Sequence, residues 1–354
     1  MEDQFIDISL ARHALLFTNE SCAIFTTVES KFNHFVDNLF LKFIKENNLE
    51  ENYNRLNAKE RKKLLQTPEV LNKLLWQNDF KNDQLNLFFS YAIEMEEAKS
   101  KKKFDYAEYS DSSWTLDGSF FINHTGNDNF DTFSTPYLSD TKIPIDCFSV
   151  YNRIDEEHMP KEWLSTTYDY SEAEDLTDNL SKVYDGFDSI VKCLIQKNIY
   201  TILLRKIPEK ETLFTSGSDG GYIGRIVICN GHTVEDSVIV DALVHEAIHG
   251  LLYMIDELNV WQPDRELSNK IGRTVVSPWS NNSITIRNLV QAIYVWYGLY
   301  NFWDKYGLAI SETYRNDRLK LISKGFLLLD LSPYKEILNE KTFEELCLIK
   351  NGFA

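Results

Sequence analysis

Two histidines and a glutamate carry the strongest chemical signal in the sequence. The run Leu243-Val244-His245-Glu246-Ala247-Ile248-His249 contains an H-E-x-x-H pattern. Side chains four apart lie one above the other on a helix face, so both imidazoles reach one divalent ion, while Glu246 points beside His245 toward a bound water or substrate. With zinc, Glu246 is the general base that activates water for peptide hydrolysis. A structural metal in a non-catalytic peptide-binding protein is another reading, and it gives the acid-base residue Glu246 no task.

The elements that must position this set follow from the pattern around it. An apolar helix is expected over 238–255, with Thr233 as its N-cap and Asp236 in its first turn. Ahead of it, Gly220, Gly221 and Gly224 lead into the apolar run Ile226 to Cys229, which reads as a strand entered through a glycine loop. These glycines lack the spacing of a phosphate loop. Tyr222, Gly224 and Ile226 are the positions expected to pair with an extended peptide substrate, at the edge of a small sheet.

A third protein ligand is harder to place. No histidine follows His249, and Leu252 and Ile255 stand where the extended motif needs Gly and His, which excludes the metzincin pattern. Downstream carboxylates are Glu257, only two helical turns on, and Glu266. The next apolar helix, expected over 284–303, presents Gln291 from its apolar face, and an amide oxygen is a weak neutral donor. Gln291 and Glu266 are therefore the two candidates. In the hydrolase reading, Tyr253, Tyr294 or Tyr297 would supply the oxyanion donor.

The wider chain sets the class. Its 354 residues are 43% hydrophobic and 26% charged, a globular balance with room for about two domains. Residues 1–103 read as a helical region, with Phe32, Phe35, Val36, Leu39, Phe40 and Phe43 at three- and four-residue spacing; residues 104–354 read as the catalytic domain. A single helix is expected over 171–198 and a strand over 199–207. Lys plus Arg total 37 against 54 Asp plus Glu, a net charge of -17, so nucleic acid and anionic membranes are poor partners. The five cysteines are scattered with no C-x-x-C pair, and Cys193 and Cys229 sit in apolar runs. Reduced buried thiols and a cytoplasmic location are expected.

Several blocks in order resemble one family. His245-Glu246-Ala247-Ile248-His249, then Ser277-Pro278-Trp279, Gln291-Ala292-Ile293-Tyr294 and Phe302-Trp303, with the glycine-rich entry from Ser216 to Gly224, are similar to the HExxH-motif peptide-modification proteins found beside ribosomally made, post-translationally modified peptides. The resemblance covers roughly 215–305. It implies an α+β, zincin (gluzincin)-like catalytic domain that acts as an iron(II) and 2-oxoglutarate-dependent hydroxylase on a side-chain β-carbon of a precursor peptide. His245 and His249 would bind the iron, with Gln291 where the family often has His. Ile284-Thr285 stands where the family has Arg-Pro, so Arg273 and Arg287 are the substitutes for holding the 2-oxoglutarate carboxylate. A zinc metallopeptidase with Glu246 as base is the alternative.

Overall fold

The structure is a computed structural model that describes residues 6–76, 83–101, 112–126, 129–152, 164–272 and 275–353. It is α+β and mostly helical. The helices are α1 (Ser9–Ala14), α2 (Ser21–Glu46), α3 (Glu50–Arg55), α4 (Ala58–Leu65), α5 (Pro68–Trp76), α6 (Asp83–Lys101), α7 (Tyr170–Asp185), α8 (Ser189–Asn198), α9 (Asp236–Leu258), α10 (Arg265–Ile271), α11 (Ile286–Ile310), α12 (Glu312–Leu328) and α13 (Glu340–Asn351). The strands are β1 (Ser112–Trp114), β2 (Phe120–Gly126), β3 (Asn129–Ser134), β4 (Ile145–Asp146), β5 (Thr201–Arg205), β6 (Thr215–Ser218), β7 (Arg225–Cys229), β8 (Val275–Val276) and β9 (Ser283–Ile284).

Contacts divide the chain into two units, each built from segments that are not consecutive in sequence. One comprises 1–32, 188–198 and 240–354; the other comprises 33–187 and 199–239. The expected helix over 171–198 is in fact two, α7 and α8. Gly186 follows the last turn of α7, and the Asp188 carboxylate accepts from the Ile190 N–H at 2.9 Å to start α8.

In the first unit α11 packs against α1, α10, α12 and α13. Its core holds the fully buried Trp261, Tyr294, Phe302 and Trp303. Two glycines permit close approach. A Cβ on Gly298 of α11 would meet Ile248 Cδ1 of α9 at 2.7 Å and Leu15 Cδ2 at 3.0 Å, and one on Gly250 would run into the Asn198 carbonyl oxygen. A disulfide joins Cys22 to Cys193. The reduced thiol expected of Cys193 is thus corrected, and the inference from unpaired cysteines to a reducing compartment loses its premise. A pairing across 171 residues leaves no local spacing to read. Cys229 and Cys147 are free and buried, as an inert thiol is.

In the second unit β1, β2 and β3 form an antiparallel meander. The other sheet has the order β4-β5-β7-β6, parallel except for β6. β7 is therefore an interior strand, with Ile226 paired to Ile202 on one side and to Ser218 on the other. This corrects the expected sheet edge: the backbone hydrogen bonds of β7 are already used within the sheet, and the strand cannot be extended by a peptide. Tyr222 instead carries the Arg225 guanidinium over its ring at 3.5 Å, and Gly224, at φ 81°, lies against Tyr200. Thr233 does not cap α9 either. Its hydroxyl donates to the Asn230 carbonyl at 2.8 Å in a short turn, and the helix begins at Asp236.

α9 is long and apolar enough to cross a membrane, but 78% of its apolar stretch is buried inside the protein, as in a core helix.

Candidate metal centre

The apolar sequence of α9 makes it a core helix, and a core helix that carries His245, Glu246 and His249 must find polar partners for them. One nitrogen from each ring and a Glu246 oxygen lie within 4.8 Å of one another. The ring centroids are 5.0 Å apart. Glu246 is buried and the imidazoles are half-buried. Two imidazoles and a carboxylate form the donor set of a divalent transition metal, and among the described residues this is the group of His, Cys, Asp or Glu side chains close enough to hold one.

α11 supplies the surroundings. Gln291 Oε1 lies 3.0 Å from His249 Nδ1. With the amide oxygen as acceptor, Nδ1–H is the donor and Nε2 carries the bare lone pair that a metal needs. In this geometry Gln291 meets the far nitrogen of the His249 ring. Burial, with His245 beside it, pulls His249 down to about 4, so the imidazole is neutral and competent to ligate at neutral pH. Tyr253 stacks on His249 at 5.7 Å, and Trp296 stands edge-on to His245 at 6.1 Å.

A stripe of further pairs runs along the same helices. Asp256, two turns beyond His249, holds Arg287 at 2.7 Å, and Arg287 also donates to the Pro263 carbonyl at 2.6 Å. Arg287 is therefore committed to a structural pair and is not the expected carboxylate anchor. Arg273 lies outside the described residues. At the other end Asp241, one turn before His245, accepts from Trp303 Nε1 at 2.7 Å and from both Nε and Nη2 of Arg318. The Arg318 guanidinium also lies over Trp296, 4.9 Å from its centroid, and Trp296 stacks on Trp279 at 5.8 Å. Asp241, Asp256, Trp296 and Arg318 escaped the sequence reading. Asp241 and Asp256 were findable, because they sit at i-4 from His245 and i+7 from His249, on the face of the motif.

The remaining candidates fall elsewhere. Glu266 is exposed in the first turn of α10 and outside the cluster. Tyr294 is buried edge-on against Trp261, 5.3 Å away, and Tyr297 faces Asn301. Of the three tyrosines offered as oxyanion donors, the structure brings Tyr253 to the histidine pair. Tyr222, Gly224 and Ile226 belong to the other unit.

No protein-family model matches this chain, and no curated protein matches it in sequence.

Proposed function

We propose that the protein is a mononuclear metal enzyme of zincin-like fold that modifies a ribosomally made peptide, an iron(II)-dependent oxygenase hydroxylating a side-chain β-carbon. The observation that supports it is the convergence of His245, Glu246 and His249, two imidazoles and one carboxylate, while Glu266, the acidic ligand a zinc peptidase of this kind would use, is exposed on α10. Two histidines with one carboxylate and open positions are the donor set of non-haem iron oxygenases. The peptide substrate and 2-oxoglutarate come from the resemblance of the sequence blocks. Arg287 does not fit as the anchor of 2-oxoglutarate, because Asp256 and Pro263 hold it.

The chain's own residues have definable tasks. His245 and His249 would hold the ion, with Glu246 as the carboxylate of the set, and iron(II), when bound, supplies the redox chemistry that activates dioxygen. Gln291 fixes the tautomer and plane of His249. Trp296 and Tyr253 flank the rings with apolar surface. Such walls keep bulk water from a reactive site.

The test uses anaerobically purified full-length protein loaded with iron(II), then given 2-oxoglutarate and oxygen, with and without the peptide encoded beside the gene. Succinate release and a gain of one oxygen atom by the peptide are expected. Zinc as the tightly held metal, with peptide cleavage and no succinate, would replace this reading by the peptidase.

A further inference from the structure

Within the unit of residues 33–187 and 199–239, α4, α6 and the segment between β3 and β4 line an open cleft of about 450 Å³. Its lining sets four lysines, Lys59, Lys63, Lys99 and Lys142, against two glutamates, Glu60 and Glu96. With Asp117, which lies behind Lys63, the cluster sets four cations against three carboxylates, an excess of one cation in a chain of net charge -17. Glu60 is already engaged, since its carboxylate accepts from the Asn57 N–H at 2.7 Å in the capping box of α4.

The inner two lysines are held in place from behind. Lys63 Nζ lies 2.8 Å from Asp117 Oδ2, and Lys63 and Lys99 both donate to Ser119 Oγ, at 3.2 and 2.7 Å. Ser119 in turn donates to Asp117 Oδ1 at 2.7 Å. Burial works against the Asp117 charge, but Lys63 and Lys99 outweigh it and hold its carboxyl well below the usual range. An ammonium has three donors, so each lysine keeps hydrogen-bonding capacity beyond these contacts. Their positions are set before any ligand arrives, which lowers the ordering cost of binding. Lys59 and Lys142 are exposed at the rim. Glu96 is buried, and burial together with Asp117 pushes its carboxyl up to about 7, so near neutral pH it only partly offsets the lysines.

We propose that this cleft is a binding site for a phosphorylated small molecule, its phosphate taken by Lys63 and Lys99 inside and by Lys59 and Lys142 at the rim. The volume is in the range of small-ligand pockets, and the Lys63 and Lys99 ammonium groups meet at Ser119 Oγ, with Lys59 and Lys142 on the lining, a set that suits a compact anion. The phosphate could belong to a nucleotide or be free pyrophosphate.

The test is calorimetric titration of the full chain with pyrophosphate and, separately, with ADP, at low and moderate salt. Saturable binding that weakens with salt is expected. Lys59→Glu with Lys142→Glu, both exposed and absent from the fold's core, should weaken it on the order of 10-fold or more; Lys99→Met should weaken it without moving the metal affinity. Tighter binding of ADP assigns the nucleotide source, and equal binding assigns phosphate alone. Absence of saturable binding for both probes, or unchanged binding in the doubly reversed variant, overturns the proposal.

Discussion

Replacing Gln291 by Leu keeps most of the side-chain volume and removes the acceptor that faces His249 Nδ1 at 3.0 Å. Two costs follow, and they are separable. In the metal-free protein the ring N–H of the half-buried His249 loses its partner, which costs about 1 kcal/mol of folding stability. For the metal, the ring is no longer held in one tautomer and plane, and loss of such an outer partner lowers affinity by about 10–100-fold, or roughly 1.4–2.7 kcal/mol. Gln291→Glu retains an acceptor on the same stem and should keep or strengthen affinity. Competition titration with zinc against a chelator measures the second cost, and urea unfolding of chelator-treated protein measures the first. A loss beyond about 1,000-fold in Gln291→Leu would mean that Gln291 is itself a ligand, and no change in either quantity would mean that its contact with His249 is idle; neither fits an outer partner that orients the ring.

Other perturbations test the surrounding scaffold. Gly250→Ala places a methyl against the Asn198 backbone carbonyl, which cannot rotate away, so it should destabilise by about 2 kcal/mol or more and weaken metal binding through the adjacent His249. Gly298→Ala meets only the side-chain ends of Ile248 and Leu15, and the better helix propensity of Ala offsets part of the strain; equal losses for the two in urea unfolding would contradict the difference between backbone and side-chain contacts. His249 has its folded value lowered from 6.5 to about 4, so between those values the metal-free native state binds fewer protons than the unfolded chain. Its contribution to stability is present above pH 6.5 and is lost as pH falls toward 4, by up to about 3 kcal/mol, and His249→Gln should remove that part of the slope. Reduction of the Cys22–Cys193 bridge should lower stability by about 2–5 kcal/mol, and an identical urea midpoint with and without reductant would show that the bridge does not form.

The motif helix, the partner helix carrying Gln291, the strands from Thr201 and Arg225 and the helical N-terminal region were all legible, because each is a local periodicity. What a neighbouring element does with a side chain was not. Sequence placed Gln291 on the face turned toward the motif, but whether an amide meets an ion or the far nitrogen of an imidazole depends on the separation of two helices, set here by Gly298. Arg287 looked available because its partner, Asp256, sits 31 residues away on another helix, and Arg318 was missed because Asp241 is 77 residues distant. Sheet order has the same character. The run from Ile226 to Cys229 reads as a strand, yet its interior place follows from β6 folding back beside it. Asp188, whose carboxylate accepts from the Ile190 N–H at 2.9 Å, is a weak signal inside an apolar stripe, and it marks where one expected helix became two.

The proposed enzyme depends on one metal ion held by His245, Glu246 and His249. Titration of metal-free protein with cobalt(II), followed by visible absorption, measures that binding. A saturable absorption band is expected at one equivalent per chain, lost when His245 and His249 are both replaced by Ala. If the unmodified protein fails to bind cobalt at a defined stoichiometry, or the doubly substituted chain binds it equally, these residues do not form a metal site.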